Sequence, residues 1–457
     1  MNSRPESGSY WDIQGGASLG GRIRIAGFKH LLVPCMAAAC LADEPWEIEN
    51  VPDITDLHVL AAMLRELGAD VGVDLPSERA RLNTAGLVRH DIDNRWSASA
   101  HGGTYLLPVL LARFGQVRSG PHGGCRITGS GARPMTHLAA VLQRFGARCE
   151  YSGGAFYASA PHGLRGTQID LADFAEIEPT TATLTGPYYS GATKTALLAA
   201  ATARGTTVLR NPYPKPDALG LAHILGQSGV PIDVDEHAIV IHGVDGPIGR
   251  ARPRLLSDLV EVVTFVAAAV HLRCELELRL DQSEAVRAGL APELARLAAM
   301  GIPLIWTDDG QLRVQPPERL TPTQVIAASH LVYSDAQPLF ALMLLNATGS
   351  GMLIETVWDN RFGYVEGLRT MGADLCQQGR NLRVAPSILH PAREPLHAPD
   401  LRAAMTLLLA ALGTRIPQRL YGVEHLARGY SGLASKLQAI GAHIDERWLP
   451  AVLSGKT

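Results

Sequence analysis

One phrase returns six times along this chain: a leucine, three intervening residues, then a glycine leading into a short strand-like run. LRELGADV begins at Leu64, LQRFGARC at Leu142, LGQSGVPI at Leu225, LAAMGIPL at Leu297, LRTMGADL at Leu368 and LQAIGAHI at Leu437. The glycines Gly68, Gly146, Gly229, Gly301, Gly372 and Gly441 stand 78, 83, 72, 71 and 69 residues apart. That period is too long for a solenoid and suits a supersecondary unit with two helices and several strands. Each phrase has one local meaning. A helix ends, glycine takes the left-handed conformation that closes it, and a strand begins.

A second element recurs ahead of each phrase, an Ala/Leu-rich stretch at 30–42, 105–115, 193–205, 261–273, 339–349 and 402–414. These stretches are apolar around most of a helical circumference, so they are expected to be buried. The helices of the glycine phrases, such as DLHVLAAMLRELG, are amphipathic and are expected to cover them. WEIEN, TTVLR, CELELRL and MLIET read as strands. The order in each unit is then buried helix, strand, outer helix, strand. A chain of 457 residues suits two domains. Six units imply three per domain, each domain enclosing three buried helices with sheets, an α/β (α+β) architecture. Bridging segments are expected near 22–29 and 252–258, and the polar, proline-containing RARPRLLSD reads as a linker.

The net charge of −3 gives no basic footprint and the 5% aromatic content gives no stacking stripe, so nucleic acid is not an expected partner. No apolar run reaches the roughly 18 to 20 residues that span a bilayer, and MNSRPESGSYWDI lacks the apolar core of a secretory signal. Six cysteines without a CxxC pair imply a reduced, cytoplasmic protein with no structural zinc.

The residues ahead of the buried helices carry the chemistry. Lys29 and His101 precede the first two. Ser190 and Gly191 open the third, Asp258 and Glu261 the fourth, Ser334 and Asp335 the fifth, and Asp400 with Arg402 the sixth. Helix starts hold unpaired N–H groups and partial positive charge. Three such ends converging from each domain would make a cleft for phosphates or carboxylates. Ser and Asp are also ordinary helix caps. The loop GPHGGCRITGSGARPM (120–135) holds five glycines, Cys125 and Arg133 ahead of an outer helix. Such a loop reads as mobile, with an accessible thiol and a guanidinium suited to an anion. Cys35 and Cys40 lie in an apolar helix and belong to the core. Arg361 and Arg428 stand in loops that lead into helices.

Taken together, IAGFKHLLVP, GGC…ARP, SGATKTALLAAATARGTTVLRN, YSDAQP, ETVWDNRFGYVEGLRTMGAD, DLRAA and ARGYSGLASKLQAIGA resemble the enolpyruvyl transferases. The resemblance spans essentially the whole chain and is nearest to the UDP-N-acetylglucosamine 1-carboxyvinyltransferase branch. It implies a two-domain inside-out α/β barrel of six βαβαββ repeats, with the active site in the cleft between domains 29–256 and 1–28 plus 257–457. It implies addition of a substrate hydroxyl to C2 of phosphoenolpyruvate (PEP), followed by loss of phosphate. By the same resemblance Cys125 is the acid in the loop and Asp335 the base. Lys29, Arg133, Arg361, Arg402 and Arg428 form the PEP and phosphate cage. No metal or organic cofactor and no obligate protein partner is implied.

Three positions depart from the family pattern. His30 replaces an asparagine that contacts the sugar acceptor, His101 replaces an arginine, and a family lysine falls near Pro187. Ser190, Gly191 and Asp258 complete the expected substrate contacts. PEP chemistry is expected to be kept and acceptor recognition rewritten. The leading expectation is a uridine nucleotide smaller than the usual diphosphate sugar, namely UMP at its 3′-hydroxyl as in nucleoside-antibiotic biosynthesis. The alternatives are UDP-N-acetylglucosamine itself and a non-catalytic nucleotide-binding relative.

Overall fold

The computed structural model describes residues 9–99, 101–123, 135–152 and 154–448. The chain divides into two compact units. The N-terminal unit is Ala26–Ser257 with Ala328–His330, and the C-terminal unit is the chain up to Ile25, Asp258–Ala327 and Leu331 onward. The tripeptide Ala328–His330 has no counterpart in the boundaries drawn from sequence. It is tied into the N-terminal unit by the Ser329 N–H, which donates to Thr185 Oγ1 at 3.3 Å. A crossing of three residues leaves no compositional mark.

Each unit is built on three buried helices. They are Lys29–Ala38, Leu106–Phe114 and Tyr189–Ala200 in the N-terminal unit, and Leu259–His271, Gln337–Leu344 and Leu401–Leu412 in the C-terminal one. All-round apolar composition has its expected result: every residue of Leu401–Leu412 is buried, as is every residue from Leu259 to Val270. The outer helices bury one stripe. Thr55–Leu67 buries Leu57, Leu60, Ala61 and Leu64 and exposes Thr55, His58 and Arg65.

The six phrases are six copies of one helix ending. Every phrase glycine has a positive φ, from +80° at Gly301 to +109° at Gly68. In every copy the residue after the glycine donates its N–H to the carbonyl of the leading leucine. The pairs are Ala69 to Leu64, Ala147 to Leu142, Val230 to Leu225, Ile302 to Leu297, Ala373 to Leu368 and Ala442 to Leu437, all between 2.9 and 3.2 Å. The glycine N–H donates to the carbonyl of the residue after that leucine, as Gly229 does to Gly226 at 3.0 Å. This is the Schellman ending, and it explains the spelling of the phrase. The leucine and the residue after the glycine are buried together in all six copies. Three copies add a clamp, because Arg65, Arg369 and Gln438 bond the carbonyls of Val71, Leu375 and Ile444 six residues on.

The strands complete a βαβαββ repeat. In the third copy Gln168–Asp170 pairs parallel with Thr206–Arg210. The buried helix is the crossover between them. Thr206–Arg210 pairs antiparallel with Ala238–His242, which pairs with Ile232–Val234. The same order recurs in the other four-stranded sheets. Remote segments fill the gaps. Gly21–Arg24 pairs parallel with Leu276–Arg279, and Ser9–Gln14 inserts between Gln418–Tyr421 and His443–Trp448.

In the N-terminal unit the filling segment is 250–255: RARPRLLSD does cross between the units, at Ser257/Asp258, but most of it is paired to a sheet first. Glu47 and Glu49 donate backbone N–H groups to Ala251 and Pro253 at 3.2 and 2.9 Å, and Leu255 donates to Glu49 at 3.0 Å. Arg252 and Arg254 bond Glu47 and Glu49 on the exposed side. A sheet edge tolerates proline and favours charge, so its composition resembles a linker's.

Nothing lies within 4 Å of a Cβ built on Gly229, whose φ is +90°. Gly229→Ala is therefore expected to cost about 1–2 kcal/mol through backbone strain alone, with Gly229→Asn costing less. Urea denaturation of both variants checks this. Equal stability of Gly229→Ala and the parent protein would refute the helix-ending account.

Candidate functional site

In the C-terminal unit the three buried helices pack on one another, and their starts carry the acidic and basic groups named from sequence. Asp258 caps Leu259–His271, accepting the Val260 and Glu261 N–H groups at 2.9 and 3.0 Å. Asp400 caps Leu401–Leu412 in the same way, through Arg402 and Ala403 N–H. Both carboxylates thus fill the ordinary capping role. Asp335 does not cap. Its Oδ1 lies 2.6 Å from Arg361 Nη2 and its Oδ2 lies 2.9 Å from Arg402 Nη2. One carboxylate therefore joins two cations brought by different repeats. Asp258 adds to the field at Arg402.

Both guanidinium groups are buried, with side chains 5% and 7% exposed. Burial opposes the charge on Arg402, and the Asp335 carboxylate outweighs it, so the group stays protonated. Arg402 Nη1 also reaches the Tyr430 hydroxyl at 3.4 Å, which lies 2.8 Å from Thr264 Oγ1 on the fourth buried helix. Arg361 Nε donates to Ser334 Oγ at 3.1 Å, and Ser334 Oγ donates to Glu355 Oε2 at 2.9 Å. Glu355 is fully buried. Burial pushes its carboxyl up to about 7, against the pull of Arg361, the Trp358 and Val357 N–H groups and the Ser334 hydroxyl. Arg428 is half-buried at the end of the short turn Val423–Arg428, two residues ahead of Tyr430.

The starts in the N-terminal unit hold a different set. Lys29 is the first residue of its helix, and its Nζ lies 2.8 Å from Asp56 Oδ2 in the first turn of Thr55–Leu67. His101 opens the short turn His101–Tyr105 that leads into Leu106–Phe114. Tyr189, and not Ser190, begins the third helix, and no side chain caps it. Ser190 Oγ instead donates to Asp217 Oδ2 at 3.4 Å. Gly191 lies against His137, whose Nε2 would be 2.7 Å from a Cβ at that position. The His137 ring stacks on Tyr188 with centroids 5.1 Å apart.

The centre of this cluster is an ion pair that the sequence reading missed. Lys194 Nζ lies 2.6 Å from Asp217 Oδ2, with side chains 6% and 3% exposed. Burial would lower the Lys194 pKa, but Asp217 and the Tyr105 hydroxyl outweigh it and the net direction is upward. Burial would raise the Asp217 pKa, but Lys194 and His30 outweigh it and the net direction is downward. The pair is ionised. The sequence did hold a signal, because Lys194 is the only charge in the apolar run TKTALLAAA. Asp56, Asp217 and Glu355 gave none, since acids in a first helical turn or at a strand end are commonplace. Cys125 and Arg133 lie outside the described residues. Cys35 and Cys40 are buried, and burial pushes the Cys40 thiol up to about 12. Among the described residues no three His, Cys, Asp or Glu side chains are placed to hold a metal, and no helix is long and apolar enough to cross a membrane.

Two stability tests follow from these groups. Lys194→Met strands a buried carboxylate and is expected to cost about 3–5 kcal/mol, most of it recovered by adding Asp217→Leu. Additive losses in urea denaturation would refute the coupling. Glu355 has its folded pKa raised from 4.5 to about 7. The folded state then binds the extra proton between those values, so this group's contribution to stability falls as pH rises through that window. Relative to Glu355→Gln, the parent protein should lose stability from pH 4.5 to 7. Parallel pH–stability curves for the two would refute the raised pKa.

Comparison with known proteins accounts for this arrangement. Residues 13–437 match the model for EPSP synthase (3-phosphoshikimate 1-carboxyvinyltransferase). The chain is 34% identical to a UDP-N-acetylglucosamine 1-carboxyvinyltransferase 2 of Mesorhizobium japonicum, over 95% of this chain and 98% of that protein. It is 34% identical to the crystal structure of the enolpyruvyl transferase NikO from Streptomyces tendae, with a TM-score of 0.89 over 97% of this chain and 100% of that one. An EPSP synthase from Acinetobacter baumannii shares the fold at 17% identity and a TM-score of 0.71, over 96% of this chain and 100% of its own. With six repeats in two units and an Asp–Arg–Arg cluster at the helix starts, the chain belongs to the EPSP synthase family and is an enolpyruvyl transferase.

Proposed function

We propose that the chain transfers the enolpyruvyl group of PEP to a hydroxyl of a uridine nucleotide, with UMP and its ribose 3′-hydroxyl as the acceptor. The reading rests on the charge inventory of the N-terminal unit. Lys29 is bound to Asp56 at 2.8 Å and Lys194 to Asp217 at 2.6 Å. The two further cations of the family pattern are replaced by His101 and Pro187. Each lost charge-assisted hydrogen bond is worth roughly 1.5–3 kcal/mol. Lys29 and Lys194 are each matched by an acid, which suits one phosphate better than a diphosphate. Lys194 qualifies the inventory drawn from sequence, because it returns a cation to the third helix, though one already neutralised.

In this reading Arg361 and Arg402 hold the carboxylate and phosphate of PEP, with Lys29, Arg133 and Arg428 completing the cage. Asp335 takes the proton of the acceptor hydroxyl as its oxygen attacks C2, and Cys125 protonates C3. Loss of the C3 proton then expels phosphate. Acid, base and cations are all side chains, so the chemistry draws on no metal or organic cofactor. His30, His101, Ser190 and Gly191 face the acceptor, and Asp258 supports the PEP end. The similarity to NikO is compatible with an acceptor other than UDP-N-acetylglucosamine, and the Mesorhizobium relative supports that sugar as the second reading.

Phosphate release from PEP is expected with UMP, weaker with UDP, and absent with UDP-N-acetylglucosamine and shikimate 3-phosphate. Turnover with UDP-N-acetylglucosamine but not UMP would overturn the acceptor assignment. Asp335→Ala is expected to abolish turnover while circular dichroism stays unchanged, and full activity would remove it as the base. An epoxide analogue of PEP is expected to alkylate Cys125, and an adduct on Cys149 or Cys274 would reject that role.

A further inference from the structure

The bonds around Arg361 reach past the residues that touch substrate in this reading. A guanidinium Nε–H can only donate, so Ser334 Oγ must accept from Arg361 at 3.1 Å. The single Ser334 proton is then committed to Glu355 Oε2 at 2.9 Å. With Glu355 ionised, the chain runs Arg361–Ser334–Glu355, each group donating to the next.

The other Glu355 oxygen accepts the Val357 and Trp358 N–H groups at 2.9 and 3.0 Å. These residues begin the loop that carries Arg361. Ser334 is the neighbour of Asp335. One buried carboxylate therefore ties the strand Gly351–Glu355 both to the loop holding Arg361 and to the turn holding Asp335. Arg361 is held at Nε by Ser334 and at Nη2 by Asp335, and among the described residues its Nη1 makes no bond. Two fixed points set the plane of a rigid fork, and the third nitrogen is thereby aimed.

The arrangement is costly as a purely structural one. Glu355 is fully buried, and burial pushes its carboxyl up to about 7 despite four opposing contacts. A buried charge network is often less stable than an apolar core of the same shape. A packing role alone would not call for a carboxylate here.

We propose that Ser334 and Glu355 are positioning residues for enolpyruvyl transfer: they orient the Arg361 guanidinium so that Nη2 holds Asp335 while Nη1 faces anionic PEP. The inference rests on the reading of PEP as the ligand of this cluster. It assigns to two residues that touch neither substrate a share of PEP binding and not of acceptor binding.

The test is steady-state phosphate release by Ser334→Ala, Ser334→Thr, Glu355→Gln and the Ser334→Ala/Glu355→Gln double variant, with PEP and the acceptor varied separately. Ser334→Ala and Glu355→Gln are each expected to lower kcat/KM for PEP about tenfold or more, with KM for the acceptor within about twofold. Ser334→Thr keeps the hydroxyl and is expected to stay within about threefold of the parent. The double variant should be no worse than the weaker single one, because both act through Arg361. Multiplied losses, equal rises in both KM values, or parent-like kinetics in Ser334→Ala would overturn the proposal. If Glu355→Gln does not fold, Ser334→Ala decides, since it removes one oxygen atom. A parent enzyme that releases no phosphate with any acceptor would sink the PEP reading and this inference together. An active parent with unaffected variants would sink the inference alone.

Discussion

A helix that is apolar on every side cannot face water, and this chain contains six. Each must be surrounded, and the three helices of a unit do so for one another with sheets outside them. The outer helices and the alternating strands follow from that requirement, since each has one apolar face to place and one polar face to leave in solvent. The cost falls at the helix starts. Their unpaired N–H groups would be buried without partners, so capping acids and charged groups gather there. The same physics that closes the core thus concentrates the chemistry at one end of each helix set.

The two units use those ends differently. In the C-terminal unit one carboxylate, Asp335, is shared by two buried arginines, with Asp258 adding to the field at Arg402 and Glu355 to that at Arg361. In the N-terminal unit Lys29 pairs with Asp56 and Lys194 with Asp217. Two guanidinium forks on one carboxylate suit a planar anion, whereas separate ion pairs leave each cation with its own partner. The contrast is carried by residues at different places in the repeat: Lys29 opens its helix, Lys194 lies in the second turn of another, and Arg361 stands in the loop after a strand. It shows how a repeated fold can keep its scaffold and vary its ligand.

Much of this was legible before any coordinates. The phrase Leu-x-x-x-Gly with an apolar residue after it spells out a Schellman ending, and all six copies adopt it. The buried helices were readable because their composition leaves no polar face. Asp335, Arg361 and Arg402 were named from the resemblance, and the structure brings them together. The stretch 250–258 crosses between the units as its composition suggested, but its sheet pairing was not readable, because an exposed sheet edge and a linker share a composition. Lys194 was overlooked within a run otherwise assigned to the core. Ser334 was named only as a helix-start residue, and Glu355 and Asp217 were not selected, since the partners that give them meaning lie 21 and 23 residues away.

By itself the sequence determined the repeat and the helix endings, because these depend on local conformation, and the class of chemistry followed from the resemblance of its motifs to the enolpyruvyl transferases. Tertiary structure decided which charges meet. Asp335 and Arg402 are 67 residues apart in the chain and 2.9 Å apart in the fold. Pairings of that kind depend on how three helix starts are packed together, and no pattern along the chain encodes the distance between them. The glycine phrases set where each helix stops, and only the packing of the three helices within a unit set what stands opposite its beginning.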